Sequence, residues 1–267
     1  MKIALFQFSG TGNTYLVARY LKDAFLVHNA SCTVYSLEAL KDGNSAILEA
    51  DIVGLGYPIY GSSFPKPVEM FIKTLERHHK RAFVYCTQMM YSGDGAAIGA
   101  KALRKKGFSV HQLAHFNMPN NITDFRLLHW VKPKDSEKLA KKLASKTERF
   151  AKAIVADTRI RKGENVLSLA LGLIQRIPFK KGREMYKKAL RVDKDCILCQ
   201  RCVALCPSQN LRIEDNQLQI DSLCYLCYRC VNHCPVQAIH FSRRAKVIRP
   251  YLGPSTDFTI EDVRKHH

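Results

Sequence analysis

Eight of the ten cysteines fall in two runs of one spacing. Cys196-Ile-Leu-Cys199-Gln-Arg-Cys202-Val-Ala-Leu-Cys206-Pro207 and Cys224-Tyr-Leu-Cys227-Tyr-Arg-Cys230-Val-Asn-His-Cys234-Pro235 share the pattern C-x2-C-x2-C-x3-C-P at an offset of 28 residues. Three thiolates at that spacing let the backbone wrap one cube of iron and sulfide, while the fourth cysteine points away toward the other run. On that logic Cys196, Cys199, Cys202 and Cys234 hold one [4Fe–4S] cluster, and Cys224, Cys227, Cys230 and Cys206 hold a second. Zinc is the competing chemistry, but it commonly takes two C-x2-C pairs with a longer spacer and has no need of a third cysteine three residues on.

The doubled pattern resembles the bacterial two-cluster ferredoxins over roughly residues 192–241, with every ligand position present. The prolines turn the chain after each fourth cysteine. Between the runs, Leu211-Arg-Ile-Glu-Asp-Asn-Gln-Leu-Gln-Ile220 predicts a hairpin with Asp215-Asn216 in its turn. A unit of about 55 residues buries little core of its own, so metal should contribute much of its folding energy.

A second set of chemistry-bearing residues follows the first apolar run: Ser9-Gly10-Thr11-Gly12-Asn13-Thr14, opening a helical pattern. Glycines and hydroxylated residues at a helix N-terminus offer N–H and O–H donors and the positive end of the helix dipole to a phosphate. Neither G-x-x-x-x-G-K-[ST] nor G-x-G-x-x-G fits, the latter because position 15 is Tyr15. A Ser/Thr/Asn-rich helix cap is the plainer alternative. Two further loops stand at the carboxyl edge of the expected sheet, where a doubly wound fold places its ligand crevice. They are Gly56-Tyr57-Pro58-Ile59-Tyr60-Gly61-Ser62-Ser63-Phe64-Pro65-Lys66-Pro67 and Thr87-Gln88-Met89-Met90-Tyr91-Ser92-Gly93-Asp94-Gly95.

In order, these three loops resemble the phosphate loop and the two isoalloxazine loops of flavodoxins. The resemblance implies FMN, with its phosphate on residues 9–14, Tyr60 and Tyr91 as stacking candidates, and backbone of Gly61, Gln88 and Gly93 facing the ring. Tyr57, Pro58 and Thr87 complete the implied site, and Asn120 of Met118-Pro119-Asn120-Asn121 is placed near the flavin, although a turn is the simpler account of it. Departures from flavodoxins are loops that are less acidic and contain no tryptophan. Together the two halves resemble flavodoxin–ferredoxin fusion proteins of anaerobic microbes.

The elements that must position these residues are readable from hydrophobic periodicity. Strands are expected at 2–8, 32–37, 52–56, 83–87 and 109–115, with helices near 13–27, 66–77 and 95–106, and a long helix at 134–156. The expected fold class is α/β: a flavodoxin-like, doubly wound parallel sheet of five strands (1–158), a helical connector (159–190), a small α+β dicluster ferredoxin domain (191–245) and a C-terminal tail (246–267). In the connector, Val166-Leu167-Ser168-Leu169-Ala170-Leu171-Gly172-Leu173-Ile174 is apolar on nearly all sides, and Pro178 is expected to end the pattern. It reads as a helix buried between domains. The alternative is an amphipathic membrane-surface element, because Arg159, Arg161, Lys180, Lys181 and Arg183 flank it.

Composition narrows the function classes. The short apolar start, broken at Gln7, has no signal-peptide form, so a reducing cytoplasmic compartment is expected, where clustered cysteines favour metal over disulfide. No run approaches the ~20 apolar residues of a membrane span. The net charge is +19, and residues 131–195 alone hold 19 Lys and Arg against 8 Asp and Glu. That belt suits an acidic redox protein of ferredoxin or flavodoxin type. Nucleic acid is not expected, since aromatics are not interleaved with the basic runs. A flavin enzyme acting on a small substrate such as a quinone remains open. Cys32 and Cys86 read as core residues, His78-His79 and His266-His267 carry no assigned role, and no hydrolytic constellation appears.

Overall fold

The computed structural model describes residues 1–124, 135–241, 247 and 249–267. Its central sheet is built from β1 (Lys2–Gln7), β2 (Ser31–Ser36), β3 (Ile52–Pro58), β4 (Arg81–Gln88), β5 (Ser109–Asn117) and β6 (Ile160–Arg161), all parallel, in the order β2-β1-β3-β4-β5-β6. The first five follow the flavodoxin-like order 2-1-3-4-5, whose direction of winding reverses between β1 and β3. β1 buries Ile3 and Leu5 in the core cluster on one side of the sheet, and Ala4 and Phe6 in the cluster on the other. Both faces being covered, the strands read as unbroken apolar runs rather than alternating ones.

Helices α1 (Asn13–Val27) and α5 (Ser136–Val155) pack on the first face. On the other lie α2 (Gly43–Glu49), α3 (Lys66–Thr74) and α4 (Gly95–Lys105). Asp135 caps α5 by accepting from the N–H groups of Glu137 and Lys138, while the expected start at Lys134 lies outside the described residues. Two elements add to the sequence-based layout. β6 contributes only two residues beside Gln112 and Leu113, too few to leave a periodicity, and α2 is a short helix started by the Asp42 cap.

The connector corrects the sequence-based expectation. α6 (Val166–Lys188) runs on through Pro178, and only Ser168 and Gly172 along it are buried. The carbonyl of Ile174, which Pro178 leaves without its helical donor, belongs to a residue 65% exposed, so water can satisfy it.

Beyond α6, β7 (Arg191–Val192) pairs antiparallel with β10 (Ile239–His240), and β8 (Leu211–Glu214) with β9 (Gln217–Ile220). The β8–β9 turn is Asp215-Asn216, both at positive φ, the geometry of a type I′ hairpin. Helices α7 (Arg201–Leu205) and α8 (Arg229–His233) occupy equivalent places in the two cysteine runs. The repeat extends to the backbone: Leu198, Gln200 and Gln209 have positive φ, as do Leu226, Tyr228 and Gln237 at the same offset. Non-glycine residues hold that conformation where the surroundings demand it, here at the turns that wrap the cysteine loops.

The last residues are folded onto the sheet domain. A 3-10 helix, Ile260–Arg264, places Ile260 and Val263 against Tyr15 and Leu205, and His267 exchanges backbone hydrogen bonds with Val34 on the edge strand β2.

Candidate functional site

The four loops that leave the carboxyl ends of β1, β3, β4 and β5 meet at one edge of the sheet. There they wall a cavity of about 370 Å³. Ser9, Gly10, Thr11, Asn13, Thr14, Pro58, Tyr60, Gly61, Thr87 and Gln88, all expected from sequence, line it, together with Asn120 and Asn121. The loop after β1 is internally braced: Ser9 Oγ accepts from the Gly12 N–H at 3.1 Å, and the Thr14 and Thr87 hydroxyls are 2.8 Å apart. Asn121 donates to Thr11 Oγ1 at 3.0 Å, and Asn13 donates to the Pro119 carbonyl at 3.0 Å, joining the first loop to the fourth. Asn120 closes its own turn on Ile122. With α1 starting at Asn13, the first turn of a 15-residue helix aims its N–H groups and dipole at this loop.

Four expected residues stand elsewhere. Tyr57 is wholly buried beneath the cavity, its hydroxyl bonded to the Gly95 carbonyl and the Gly99 N–H. Tyr91 hydrogen bonds to Ser168 of α6 at 3.0 Å, and Gly93 is packed against the α6 backbone at Ser168 and Gly172. Gly12 has φ 96°, and a Cβ there would lie 2.7 Å from Pro254, so the C-terminal segment presses on it. α6 and this segment supply the competing contacts, and neither is near these loops in sequence.

The opposite wall was not legible in the loop motifs. Phe179 and Tyr186 come from α6, and Leu226, Tyr228 and Phe241 from the cysteine-rich unit. One signal existed: the second run carries Tyr225 and Tyr228 where the first has Ile197 and Gln200.

The cysteines themselves gather in two quartets. One small cavity is lined by Cys196, Cys199, Cys202 and Cys234, a second by Cys206, Cys224, Cys227 and Cys230. Each run's fourth thiol thus stands in the other run's cavity. Backbone N–H groups are aimed at the sulfurs: Asn210 to Cys206 at 3.2 Å, its repeat equivalent Ala238 to Cys234 at 3.2 Å, and Leu226 to Cys224 at 3.3 Å. Burial raises the Cys202 and Cys224 thiols to about 11 and Cys227 to about 12, and lifts Cys230 well above the ordinary range. Such thiols ionise together only beside concentrated positive charge, which iron supplies, so the donor set fits [4Fe–4S] ligation. Cys32 and Cys86, buried in strands, are likewise raised by desolvation and face no such quartet.

The second quartet and the loop after β1 are in direct contact. A Cβ on Gly10 would lie 2.6 Å from the Cys227 carbonyl oxygen, so only glycine lets the two backbones approach this closely. The Tyr60 hydroxyl, buried and without a hydrogen-bond partner among the described residues, lies beside Gly10 as well. Arg229, between Cys227 and Cys230 and wholly buried, locks the contact. Its guanidinium donates to the carbonyls of Gly10 (2.9 Å), Ser9 (2.8 Å) and Leu205 (3.1 Å) and forms a fork on Glu38 at 2.9 and 2.6 Å. Five contacts match the five donors of a guanidinium. From the C-terminal segment, Tyr251 donates to Asn13 Oδ1 at 2.6 Å while its N–H bonds Asn232 Oδ1 at 2.8 Å, bridging the phosphate-type loop to α8.

Residues 195–239 match the family described as the 4Fe–4S dicluster domain. No curated protein matches the chain. Solved structures that resemble it include a flavodoxin from the domain Archaea, with 18% identity over 58% of this chain and 99% of that one, at a TM-score of 0.43. A flavodoxin of Streptococcus pneumoniae TIGR4 is 18% identical, covering 59% of this chain and 100% of its own, TM-score 0.43. A flavone reductase is 13% identical, covering 85% of this chain and 76% of its own, TM-score 0.42. The strand order is that of a flavodoxin-like sheet, and the matched residues 195–239 add a 4Fe–4S dicluster unit to it, an arrangement that fits a flavodoxin–ferredoxin fusion.

Proposed function

We propose that the chain holds two [4Fe–4S] clusters and one FMN, and exchanges electrons with an external, acidic redox protein. The observation that carries this reading is the shared wall between the phosphate-type loop and the second cysteine quartet, where Gly10 meets Cys227. When bound, the clusters supply one-electron chemistry and FMN one- or two-electron chemistry.

The protein's part is binding and orientation. Cys196, Cys199, Cys202 and Cys234 hold one cluster, and Cys224, Cys227, Cys230 and Cys206 the other. Ser9, Gly10, Thr11, Asn13 and Thr14 receive the FMN phosphate on backbone and hydroxyl donors without a basic side chain, as Arg229 is already neutralised by Glu38. Tyr60, Gly61, Thr87 and Gln88 receive the ring, and Leu226, Tyr228 and Phe241 exclude water between it and the cysteines. The surplus positive charge of residues 131–195 steers an acidic partner, and thiolate ligands suit a reducing compartment such as the cytoplasm.

Anaerobic purification tests this. About eight irons per chain, with broad absorbance near 400 nm, are expected from two four-iron clusters. Flavin released by acid should chromatograph as FMN in a one-to-one ratio to protein. A colourless, zinc-loaded protein would refute the clusters, and an iron-replete protein that neither contains nor binds FMN would refute the flavin.

A further inference from the structure

α6 is amphipathic with its apolar side turned outward. Its inner side is tied down by polar and small residues: Ser168 to Tyr91, Gly172 against Gly93, Gln175 to the Ser62 hydroxyl at 2.7 Å, and Arg176 to Asp94 and to the Ser62 carbonyl at 3.0 Å. The opposite side carries Val166 (83% exposed), Leu173 (52%), Ile174 (65%) and Ile177 (48%), with Leu167 and Leu169 at its margins. These positions fall on one arc at 100° per residue. The Asp94–Arg176 pair and the Ser62 and Ser168 bonds prevent the helix from rolling that arc inward, because each would leave a buried polar group unmade.

Charge says what covers the arc. Continuing along the same face, the apolar half gives way to exposed Lys180, Lys181 and Lys188, and exposed Arg161 and Lys162 stand just before the helix. Two such surfaces repel each other, which disfavours a second copy of this chain. A protein partner would need an apolar groove shaped to this convex ridge with acid at both ends. An anionic bilayer surface offers apolar depth and negative headgroups to a ridge of any shape.

We propose that α6 seats the protein on anionic membrane surfaces, with Val166–Ile177 entering the headgroup boundary and the flanking cations on lipid phosphates. The association is peripheral: among the described residues no helix is long and apolar enough to cross a membrane. Phe179 and Tyr186, on the inner side of this same helix, line the flavin-loop cavity, so the seated helix lies between that cavity and the lipid. The inference does not depend on the cofactors.

The test is flotation of the intact, cluster-containing chain with vesicles of phosphatidylcholine alone or with phosphatidylglycerol added. Binding is expected to the mixed vesicles, to weaken with salt, and to fall at least about tenfold in Leu173→Gln/Ile174→Gln, since burial of one such side chain is worth that factor. Lys180→Gln/Lys181→Gln should reduce binding by about fivefold per charge. Both pairs are exposed, so unchanged absorbance near 400 nm shows that the fold is intact. No flotation with mixed vesicles, or equal flotation of the Leu173/Ile174 variant, would overturn the proposal. So would a dimer, or retention on an immobilised acidic ferredoxin, that the same variant abolishes while flotation persists.

Discussion

Arg229→Met is the sharpest probe of how the two halves are coupled. The guanidinium is 0% exposed and its partner Glu38 8%. Removing it leaves the Glu38 carboxylate buried without a counterion, which costs about 3–5 kcal/mol. It also strands the Ser9, Gly10 and Leu205 carbonyls, at about 1 kcal/mol each or more. The contact between the phosphate-type loop and the second quartet should therefore weaken by at least about 5 kcal/mol, comparable to the whole stability of a small unit. The assay is iron release to an excess of chelator, followed near 400 nm. Release that follows the population of the opened form should accelerate by more than about a hundredfold, because each 1.4 kcal/mol is a factor of ten. Arg229→Lys keeps the charge but has three donors for five acceptors, so it should fall between. The double variant Arg229→Met/Glu38→Met should release iron more slowly than Arg229→Met alone, since no unpaired charge remains buried. Release from Arg229→Met within about threefold of wild type, or a double variant equal to the sum of the singles, would refute the reasoning.

Two further outcomes follow from side chains already placed. Cys206→Ser should perturb the electron paramagnetic resonance signal of the cluster held by Cys224, Cys227 and Cys230, and Cys234→Ser that of the other, the reverse of their positions in sequence; a change confined to the run carrying the substitution would contradict the quartets. His115, buried on β5 with its Nε2 accepting from the Ala96 N–H at the start of α4, is held down to about 4 by desolvation and by Lys162 and Lys146. The unfolded chain takes up that proton below about pH 6.5 and the folded chain does not until about 4, so stability present above 6.5 is lost as pH falls through that window, up to about 3 kcal/mol. In thermal melts, His115→Gln should flatten the decline between pH 6.5 and 4.5, and an unchanged slope would remove His115 as its cause.

How much of this could be read in advance depends on how far apart the causes lie along the chain. The cysteine quartets were legible because ligand, spacing and turn all sit within one repeat, as did the Asp215-Asn216 hairpin. The sheet was legible for the same reason, each strand's burial being written in its own residues. Arg229 was not, because its partners are Glu38, Ser9 and Gly10, and an Arg between two cysteines looks the same whether it faces water or a buried carboxylate. Nothing local to Tyr91 and Gly93 foretells that α6 covers them.

α6 differs from its expected burial for another reason. Apolar residues at 166–174 point to burial in the sequence, but apolarity states a preference, and the geometry is decided by whichever face has partners. Ser168, Gly172, Gln175 and Phe179 recur at helical spacing of three and four, a second stripe within the apolar run. That stripe packs on Tyr91, Gly93, Ser62 and Gly61 of the loops after β3 and β4. Once those bonds form, the aliphatic side can only face outward, and the position of α6 is therefore set by the cavity it roofs.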